Sequence, residues 1–319
     1  PPPPPTGGGK KAPSFGKTPP SFGGQPQAPQ WGGQAGAANV QAEPALDQNL
    51  LQGGGPNEMQ KTTAGTLMFN PRDSPVGKSL DTYGEYGRDE FDLLKQVVRD
   101  GDVIIDAGSQ YGQLSLHLSQ VVGPQGNIYA FEPQRLLHQV LCSNFAMNGA
   151  MNCHCRHEAV GAQPGEIVVP PLDINVDGCH GCTSLDSANY AGETVKMTSV
   201  DSMNLPKCRL IKADVEGMEV EVIKGAVKTI NMFKPALYMR AHYNEADNTL
   251  SQKTQDLARY VQSLNYDMYW HFSRLYYEDN FYKNPQNDFG EDTVLYILAV
   301  PHVDGSSIEG LEPVVVPPA

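Results

Sequence analysis

The sequence lacks any apolar run close to the length of about 20 residues that a membrane-spanning helix needs. It also lacks an excess of positive charge: 23 lysines and arginines stand against 36 acidic residues, and the net charge is −13. A negatively charged surface does not suit general binding to nucleic acids or to anionic membranes. These two absences predict a soluble protein that has no transmembrane segment and does not bind nucleic acid.

Cysteine is scarce as well, with six in 319 residues. Cys179 and Cys182 form a lone C-x-x-C, whereas a structural zinc site needs four ligands, usually from two such pairs. A redox C-x-x-C normally opens a helix beside a strand, but this one lies in a loop rich in glycine and aspartate. We therefore predict free thiols with structural roles in a reducing compartment, and zinc is the weaker alternative.

Residues 1–58 differ from the rest of the chain in composition. They contain 12 prolines and 12 glycines and few charged side chains. Such a segment buries too little apolar area to offset its chain entropy, so we predict a disordered tail with polyproline character. It is either a plain tail or an arm that binds a protein partner through Phe15, Phe22 and Trp31. The remaining chain divides into a domain over 59–300 and a Pro/Val-rich C-terminal tail over 301–319.

From about residue 86 the sequence alternates between strand-like and helix-like patterns. Short apolar runs predict strands at 102–106, 127–131, 208–213 and 236–241, and the alternating Cys153 and Cys155 predict another at 152–157. Apolar residues at helical spacing predict helices at 89–98, 113–122, 134–148, 219–230 and 252–263. This alternation predicts an α/β fold, in which a mostly parallel sheet has helices on both faces and ends in an antiparallel pair at 266–271 and 293–300.

Side chains that can bind a ligand stand at or just beyond successive predicted strand ends. They are Asp106, Glu132, Asp214 and His242. Ligands of open α/β sheets bind beyond the carboxyl ends of the strands, near the point where the strand order reverses. Strand ends are often polar without any function, but acids at several successive ends favour a binding site.

The loop after the first predicted strand indicates the type of cofactor. It reads Gly108-Ser109-Gln110-Tyr111-Gly112, without the middle glycine of the dinucleotide pattern G-x-G-x-x-G. Asp106 precedes the loop, and its carboxylate would oppose a pyrophosphate but would suit the cationic amine of S-adenosylmethionine. Glu132 can accept hydrogen bonds from ribose hydroxyls, which NAD and S-adenosylmethionine share. The loop therefore favours S-adenosylmethionine, and an NAD-dependent oxidoreductase ranks last.

Several motifs together resemble those of the FkbM-type methyltransferase family. They are AFEP at 130–133, EAVG at 158–161, TSL at 183–185 and KADVEGMEVEVIKGA at 212–226. The resemblance covers roughly residues 85–300. It implies a class I methyltransferase fold, which is a doubly wound, Rossmann-like, seven-stranded sheet. It also implies S-adenosylmethionine as cofactor and O-methylation of a hydroxyl on a sugar or small metabolite.

The resemblance also suggests roles for individual residues. Those matching the cofactor site are Asp106, Gly108, Gly112, Glu132 and, near the adenine, Glu158. Those matching the substrate side are Asp214 and Glu216. Asp214 is our first candidate for the base or the acceptor-positioning residue, followed by His242 and then His180. We predict no metal site, since Asp214 with His242 or Asn244 would offer a divalent cation only one strong anionic ligand.

Other residues of these motifs have simpler interpretations, and one departs from the family pattern. We expect Glu219 and Glu221 to form a solvated helix face, and Lys212 to pair with an acid or extend to solvent. The family commonly carries an acid where this chain has Arg240. A cation facing a sulfonium is unfavourable, so Arg240 faces away, or the acceptor is anionic, or catalysis has been lost. The alternative function is thus a non-catalytic subunit of a larger assembly, with the arm over 1–58 bound along neighbouring chains.

Overall fold

The computed structural model of the protein describes residues 55–185, 191–244, 249–304 and 308–316. Nearly all of the predicted tail over 1–58 therefore lies outside the described residues, as do its three aromatic side chains. The disorder of this tail and its binding to a partner stay predictions. No helix in the described part of the chain is long and apolar enough to cross a membrane.

The described residues form twelve strands and seven helices. The strands are β1 (Glu58–Thr62), β2 (Gly65–Phe69), β3 (Val103–Ala107), β4 (Asn127–Phe131), β5 (Cys153–Arg156), β6 (Ala159–Val160), β7 (Gly165–Val169), β8 (Glu193–Thr198), β9 (Leu210–Ala213), β10 (Ala236–Arg240), β11 (Tyr266–Arg274) and β12 (Thr293–Pro301). The helices are α1 (Val76–Tyr83), α2 (Arg88–Val97), α3 (Gln113–Val122), α4 (Arg135–Met147), α5 (Glu219–Lys224), α6 (Val227–Phe233) and α7 (Gln252–Ser263).

Seven strands form the central sheet, in the order β11-β12-β10-β9-β3-β4-β5. All neighbours from β10 to β5 pair in parallel, and β12 pairs antiparallel with both β10 and β11. This confirms the predicted doubly wound, mostly parallel α/β fold. The chain leaves β3 toward β4 and β5 and later returns to β9 on the other side, so the strand order reverses between β3 and β9.

The central strands form where short apolar runs can be covered on both faces. Every residue of β3 and β9 is buried, and β10 is buried except for its last residue, Arg240. Continuous burial of this kind is typical of a parallel strand between two helical layers. One face of the sheet packs against α5, α6 and α7, and the other against α2 and α3.

The predicted helix over 219–230 is wrong in one respect, because the chain forms two helices there, α5 and α6. Between them, Gly225 approaches the carbonyl of Gly161 so closely that a Cβ would lie 2.1 Å from that oxygen. A 3₁₀ turn at Val200–Met203 docks at the same place. Its Asp201 carboxylate accepts backbone hydrogen bonds from Lys228 and Thr229 and starts the second helix there.

The prediction of free thiols is wrong for one pair, since Cys179 and Cys182 form a disulfide. The loop brings their Cα atoms to 5.3 Å, within the range that a disulfide bridges. The other four cysteines are free thiols. The C-x-x-C therefore forms a covalent cross-link within its loop.

Two further segments contain structure that the sequence patterns did not predict. The β1–β2 hairpin and α1 precede residue 86, where the predicted α/β pattern begins. At the other end, residues 312–314 of the predicted C-terminal tail run beside β11. There the Val314 amide donates to the Met268 carbonyl, and the Trp270 amide donates to the Glu312 carbonyl.

Candidate functional site

Two adjoining cavities open at the carboxyl ends of the parallel strands, beside the reversal point between β3 and β9. Cavity A is lined among others by Glu90, Asp106, Gln110, Lys212, Glu216, Arg240 and Tyr296. Cavity B is lined among others by Pro133, Glu158, Val160, Leu185, Val215 and Met218. Both share Gly108, Glu132, Gly181 and Asp214. The volume that the centre of a water-sized sphere can occupy is about 90 Å³ in Cavity A and about 50 Å³ in Cavity B.

The glycine loop forms the common wall of the two cavities. Gly108 has a φ of 82°, and a Cβ on it would lie 1.9 Å from the carbonyl oxygen of Asp214. Gly112 has a φ of 80°, but a Cβ there would meet Leu141 and Phe145 on α4, and it lines neither cavity. Gly108 therefore shapes the site itself, whereas Gly112 allows α3 to pack closely against α4.

A buried ion pair lies beneath this loop. Lys212 Nζ is 3.0 Å from Asp106 Oδ1 and also donates to the Gly108 carbonyl at 2.9 Å. Ser115 Oγ donates to Asp106 Oδ2 at 2.6 Å. Burial lowers the pKa of Lys212, but the surrounding carboxylates, led by Asp106, outweigh burial and raise it overall. The predicted pairing of Lys212 with an acid is confirmed, and the ammonium occupies the place beside Asp106 that we had expected for a ligand amine.

Glu132 stands between the two cavities at the end of β4. Its carboxylate accepts hydrogen bonds from the backbone N–H groups of Gln110 at 3.0 Å and Gln134 at 2.8 Å. Burial raises its pKa to about 7, against the effect of these two bonds. Because a carboxylate can accept about four hydrogen bonds, Glu132 can accept two more from a ligand in either cavity.

Cavity B offers mainly apolar side chains next to Glu132, including Pro133, Val160 and Met218. At its edge Glu158 pairs with Lys196 at 3.0 Å. This places Glu158 at the cavity wall, with its carboxylate engaged by a neighbouring cation. A flat apolar ring system suits a cavity of this kind.

The C-x-x-C loop lies against Cavity A, which Cys179, Gly181 and Cys182 help to line. Asp73, completely buried, holds this loop to the glycine loop. Its carboxylate accepts from the His180 backbone N–H at 2.8 Å and from Gln110 Nε2 at 2.6 Å. The disulfide and this carboxylate together fix one wall of the cavity.

Asp214 and Glu216 follow β9, as the sequence predicts, and both line Cavity A. Tyr296 donates to Asp214 Oδ2 at 3.0 Å, and Lys212 Nζ lies 4.0 Å from the same oxygen. Glu216 has a φ of 52°, a left-handed conformation that a side chain other than glycine rarely adopts. Burial raises its pKa to about 7, with a further contribution from Asp214.

The prediction that Glu219 lies on a solvated face is wrong. Its side chain is only 3% exposed, and its carboxylate accepts from the backbone N–H groups of Val215 and Gly217 at 3.1–3.2 Å. Glu219 therefore clamps the turn that carries Glu216. Glu221, two residues further along the same helix, is exposed and pairs with Lys224, as the prediction expects.

Arg240 faces into Cavity A, so the interpretation that it faces away is wrong. Its guanidinium lies over the ring of Tyr296, 5.6 Å from the centroid. Its buried Nε has no hydrogen-bond partner among the described residues, and the guanidinium forms no ion pair with them. The charge at the end of β10 is thus present in the cavity without a direct partner.

Glu90 on α2 is a site residue that the sequence did not reveal. It is 3% exposed, lines Cavity A, and has a pKa raised by burial to about 8. In the sequence it belongs to an acidic first helical turn, which the helix dipole explains without any function. Only the packing of α2 against the sheet turns this carboxylate inward.

The two histidine candidates line neither cavity. His242 Nε2 lies 4.0 Å from Glu219 Oε1, and this carboxylate raises its pKa. His180 Nε2 lies 3.0 Å from the Val176 carbonyl. Asn244 donates to Thr249. Among the described residues no group of three His, Cys, Asp or Glu side chains is arranged to hold a metal ion.

The chain is similar to known methyltransferases. The model of the Methyltransferase FkbM domain matches residues 106–268. The hexuronic acid methyltransferase AglP of Haloferax volcanii is 27% identical over 199 residues, which are 60% of this chain and 77% of that protein.

Solved structures are similar as well. One is the methyltransferase FkbM of Methylobacillus flagellatus, with 20% identity and a TM-score of 0.41 over 63% of this chain and 44% of that one. Another is an S-adenosylmethionine-dependent O-methyltransferase of Thermotoga maritima, with 15% identity and a TM-score of 0.39 over 82% and 83% of the two chains.

Proposed function

The chain belongs to the FkbM methyltransferase family, and on that premise we propose that it is an S-adenosylmethionine-dependent O-methyltransferase acting on a hydroxyl of a sugar or small metabolite. The observation that carries the proposal is Glu132, a buried carboxylate between two cavities with capacity for two further hydrogen bonds. A ribose diol supplies two such donors. Cavity B, which is mainly apolar, adjoins Glu132 on one side and would take the adenine. Cavity A, which is polar, adjoins it on the other side and would take the amino-acid half and the acceptor.

The residues present fit this cofactor. Pro133, Val160 and Met218 in Cavity B would hold the adenine, and Glu132 would hold the ribose. Gly108 lines both cavities and lets the glycine loop pack closely against the Asp214 backbone between them. When bound, S-adenosylmethionine supplies an electrophilic methyl group on a sulfonium.

Glu216 and Asp214 are suited to different roles in methyl transfer to the acceptor. With its pKa raised to about 7, Glu216 can take up a hydroxyl proton near neutral pH, which is the property that a general base requires. Asp214 is held by Tyr296, so its orientation is set before the acceptor arrives. We therefore assign proton removal to Glu216 and acceptor positioning to Asp214.

The relative from Haloferax volcanii supports a sugar as the acceptor, because it is named for a hexuronic acid. The polar and charged side chains that line Cavity A agree with this.

Calorimetric titration of the full chain with S-adenosylmethionine, with NAD as the control, tests the proposal. We expect S-adenosylmethionine to bind with a Kd of about 1 μM, equivalent to about −8 kcal/mol, and NAD not to bind. A preference for NAD, or binding of neither ligand, would contradict the proposal.

A further inference from the structure

Arg240 presents an unpaired positive charge to the part of Cavity A where the acceptor must lie. Its guanidinium lines the cavity together with Asp214 and Glu216, the two residues assigned to the acceptor. It forms no ion pair with described residues, and its Nε lacks a hydrogen-bond partner. A partly buried charge without a counter-ion is unfavourable, so this arrangement calls for an anion.

None of the described acidic side chains of the cavity forms an ion pair with Arg240, although Asp214 and Glu216 raise its pKa from a distance. Asp106 is paired with Lys212, and Asp214 accepts from Tyr296 and lies near the same lysine. Burial raises the pKa of Glu216 to about 7 and that of Glu90 to about 8. Near neutral pH Glu90 and Glu216 are therefore only partly ionised, and Asp214 is the carboxylate that acts most strongly on Arg240, without forming an ion pair with it.

A methyl donor with a sulfonium makes the need for an anion stronger. Bound in the same cavity, the sulfonium would add a second positive charge near the guanidinium. A planar anion would balance both positive charges, the sulfonium and the guanidinium. A carboxylate is such an anion, and the guanidinium fork can donate two hydrogen bonds to it. A monoanion suits the site better than a dianionic phosphate, since five acids line the cavity: Glu90, Asp106, Glu132, Asp214 and Glu216.

We propose that the methyl acceptor is a sugar acid, whose carboxylate binds Arg240 while a hydroxyl of the same molecule lies at Asp214 and Glu216. This inference rests on the proposed function and specifies its substrate class. The hydroxyl oxygen forms the new bond to the methyl carbon, and the carbon–sulfur bond breaks with its electron pair left on sulfur. The hydroxyl proton passes to Glu216. Arg240 is thus a specificity-determining residue, which selects acceptors by charge.

The carboxylate could also belong to the methionine half of the methyl donor, and binding measurements separate these two sources. The full chain, saturated with S-adenosylhomocysteine, is titrated with D-glucuronate and with D-glucose, which differ only at carbon 6. Binding is followed by NMR for the native protein, Arg240→Gln and Arg240→Lys. Arg259→Gln serves as the control, because Arg259 pairs with Asp256 on α7, away from the cavities. Affinity for S-adenosylhomocysteine is measured separately for each protein.

We expect the native protein and Arg259→Gln to bind glucuronate at least about tenfold more tightly than glucose. Arg240→Gln should lose this preference, and Arg240→Lys, which keeps the charge without the fork, should lose part of it. Affinity for S-adenosylhomocysteine should stay unchanged. Circular dichroism establishes that each variant is folded, and the comparison of the two sugars on the native protein requires no variant.

Three results would overturn the inference. They are equal binding of the two sugars by the native protein, an unchanged preference in Arg240→Gln, and a large loss of S-adenosylhomocysteine affinity in that variant. The last would assign Arg240 to the cofactor's own carboxylate. Failure of the proposed function has a different signature, because the native protein would then bind neither S-adenosylmethionine nor S-adenosylhomocysteine. The sugar titrations of the protein alone would still report on Arg240.

Discussion

Replacing Glu219 by alanine should destabilise the protein far more than the same change at Glu221. The Glu219 carboxylate is buried and accepts from the N–H groups of Val215 and Gly217, both part of the turn that carries Glu216. Its loss leaves two partly buried donors without an acceptor. At about 1–2 kcal/mol for each, the free energy of unfolding should fall by about 2–4 kcal/mol.

Thermal unfolding followed by circular dichroism measures this effect, and Tm should fall by about 5–15 °C, since each kcal/mol shifts a domain of this size by about 2–4 °C. Glu221→Ala is the matched control. It lies on the same helix and undergoes the same change in helix propensity, but it loses only an exposed pair with Lys224, worth about 0–1 kcal/mol. Equal shifts for the two variants would refute the buried position of Glu219 and the clamp on the Glu216 turn.

Three further predictions address the site itself. Glu132→Ala should weaken S-adenosylmethionine binding by about 1–3 kcal/mol in calorimetric titration, and unchanged affinity would remove Glu132 from the ribose site. Turnover of the native protein should rise as the pH increases through about 7, because Glu216 must lose its proton to act as a base. Glu216→Gln should lower kcat by about 10²–10⁴-fold and flatten this pH profile while cofactor affinity is kept. Gly108→Ala should abolish cofactor binding or folding, since its Cβ would lie 1.9 Å from the Asp214 carbonyl oxygen, and a stable, binding-competent variant would contradict the geometry of this wall.

The fold was predictable from the sequence because its main signals are local. The apolar runs of β3, β9 and β10 match the short buried strands of a parallel sheet. Asp106, Glu132 and Asp214 were predictable site residues for a related reason. Each follows such a run at or near its carboxyl end, and the carboxyl ends of parallel strands meet at one edge.

Other features were not predictable, because nonlocal contacts decide them. The sequence shows Glu219 as one acid of a helix turn. Its hydrogen-bond donors are only two and four residues away, but its burial beside His242 depends on the fold. The break between α5 and α6 depends on the Gly161 carbonyl, 64 residues earlier in the chain. The pairing of Cys179 with Cys182 depends on the path of a loop that Asp73 holds in place.

The sequence by itself determined the alternation of strands and helices, the glycine loop without its middle glycine, and the acids at the strand ends. These features follow from the periodicity of the chain and from the order of residues along it. Only the tertiary structure decided which charges face one another. It paired Lys212 with Asp106, turned Glu90 inward, and left Arg240 in the cavity without an ion pair to any described residue. The physical reason is that the pKa and the pairing of a charged side chain depend on burial and on neighbours brought from distant parts of the chain.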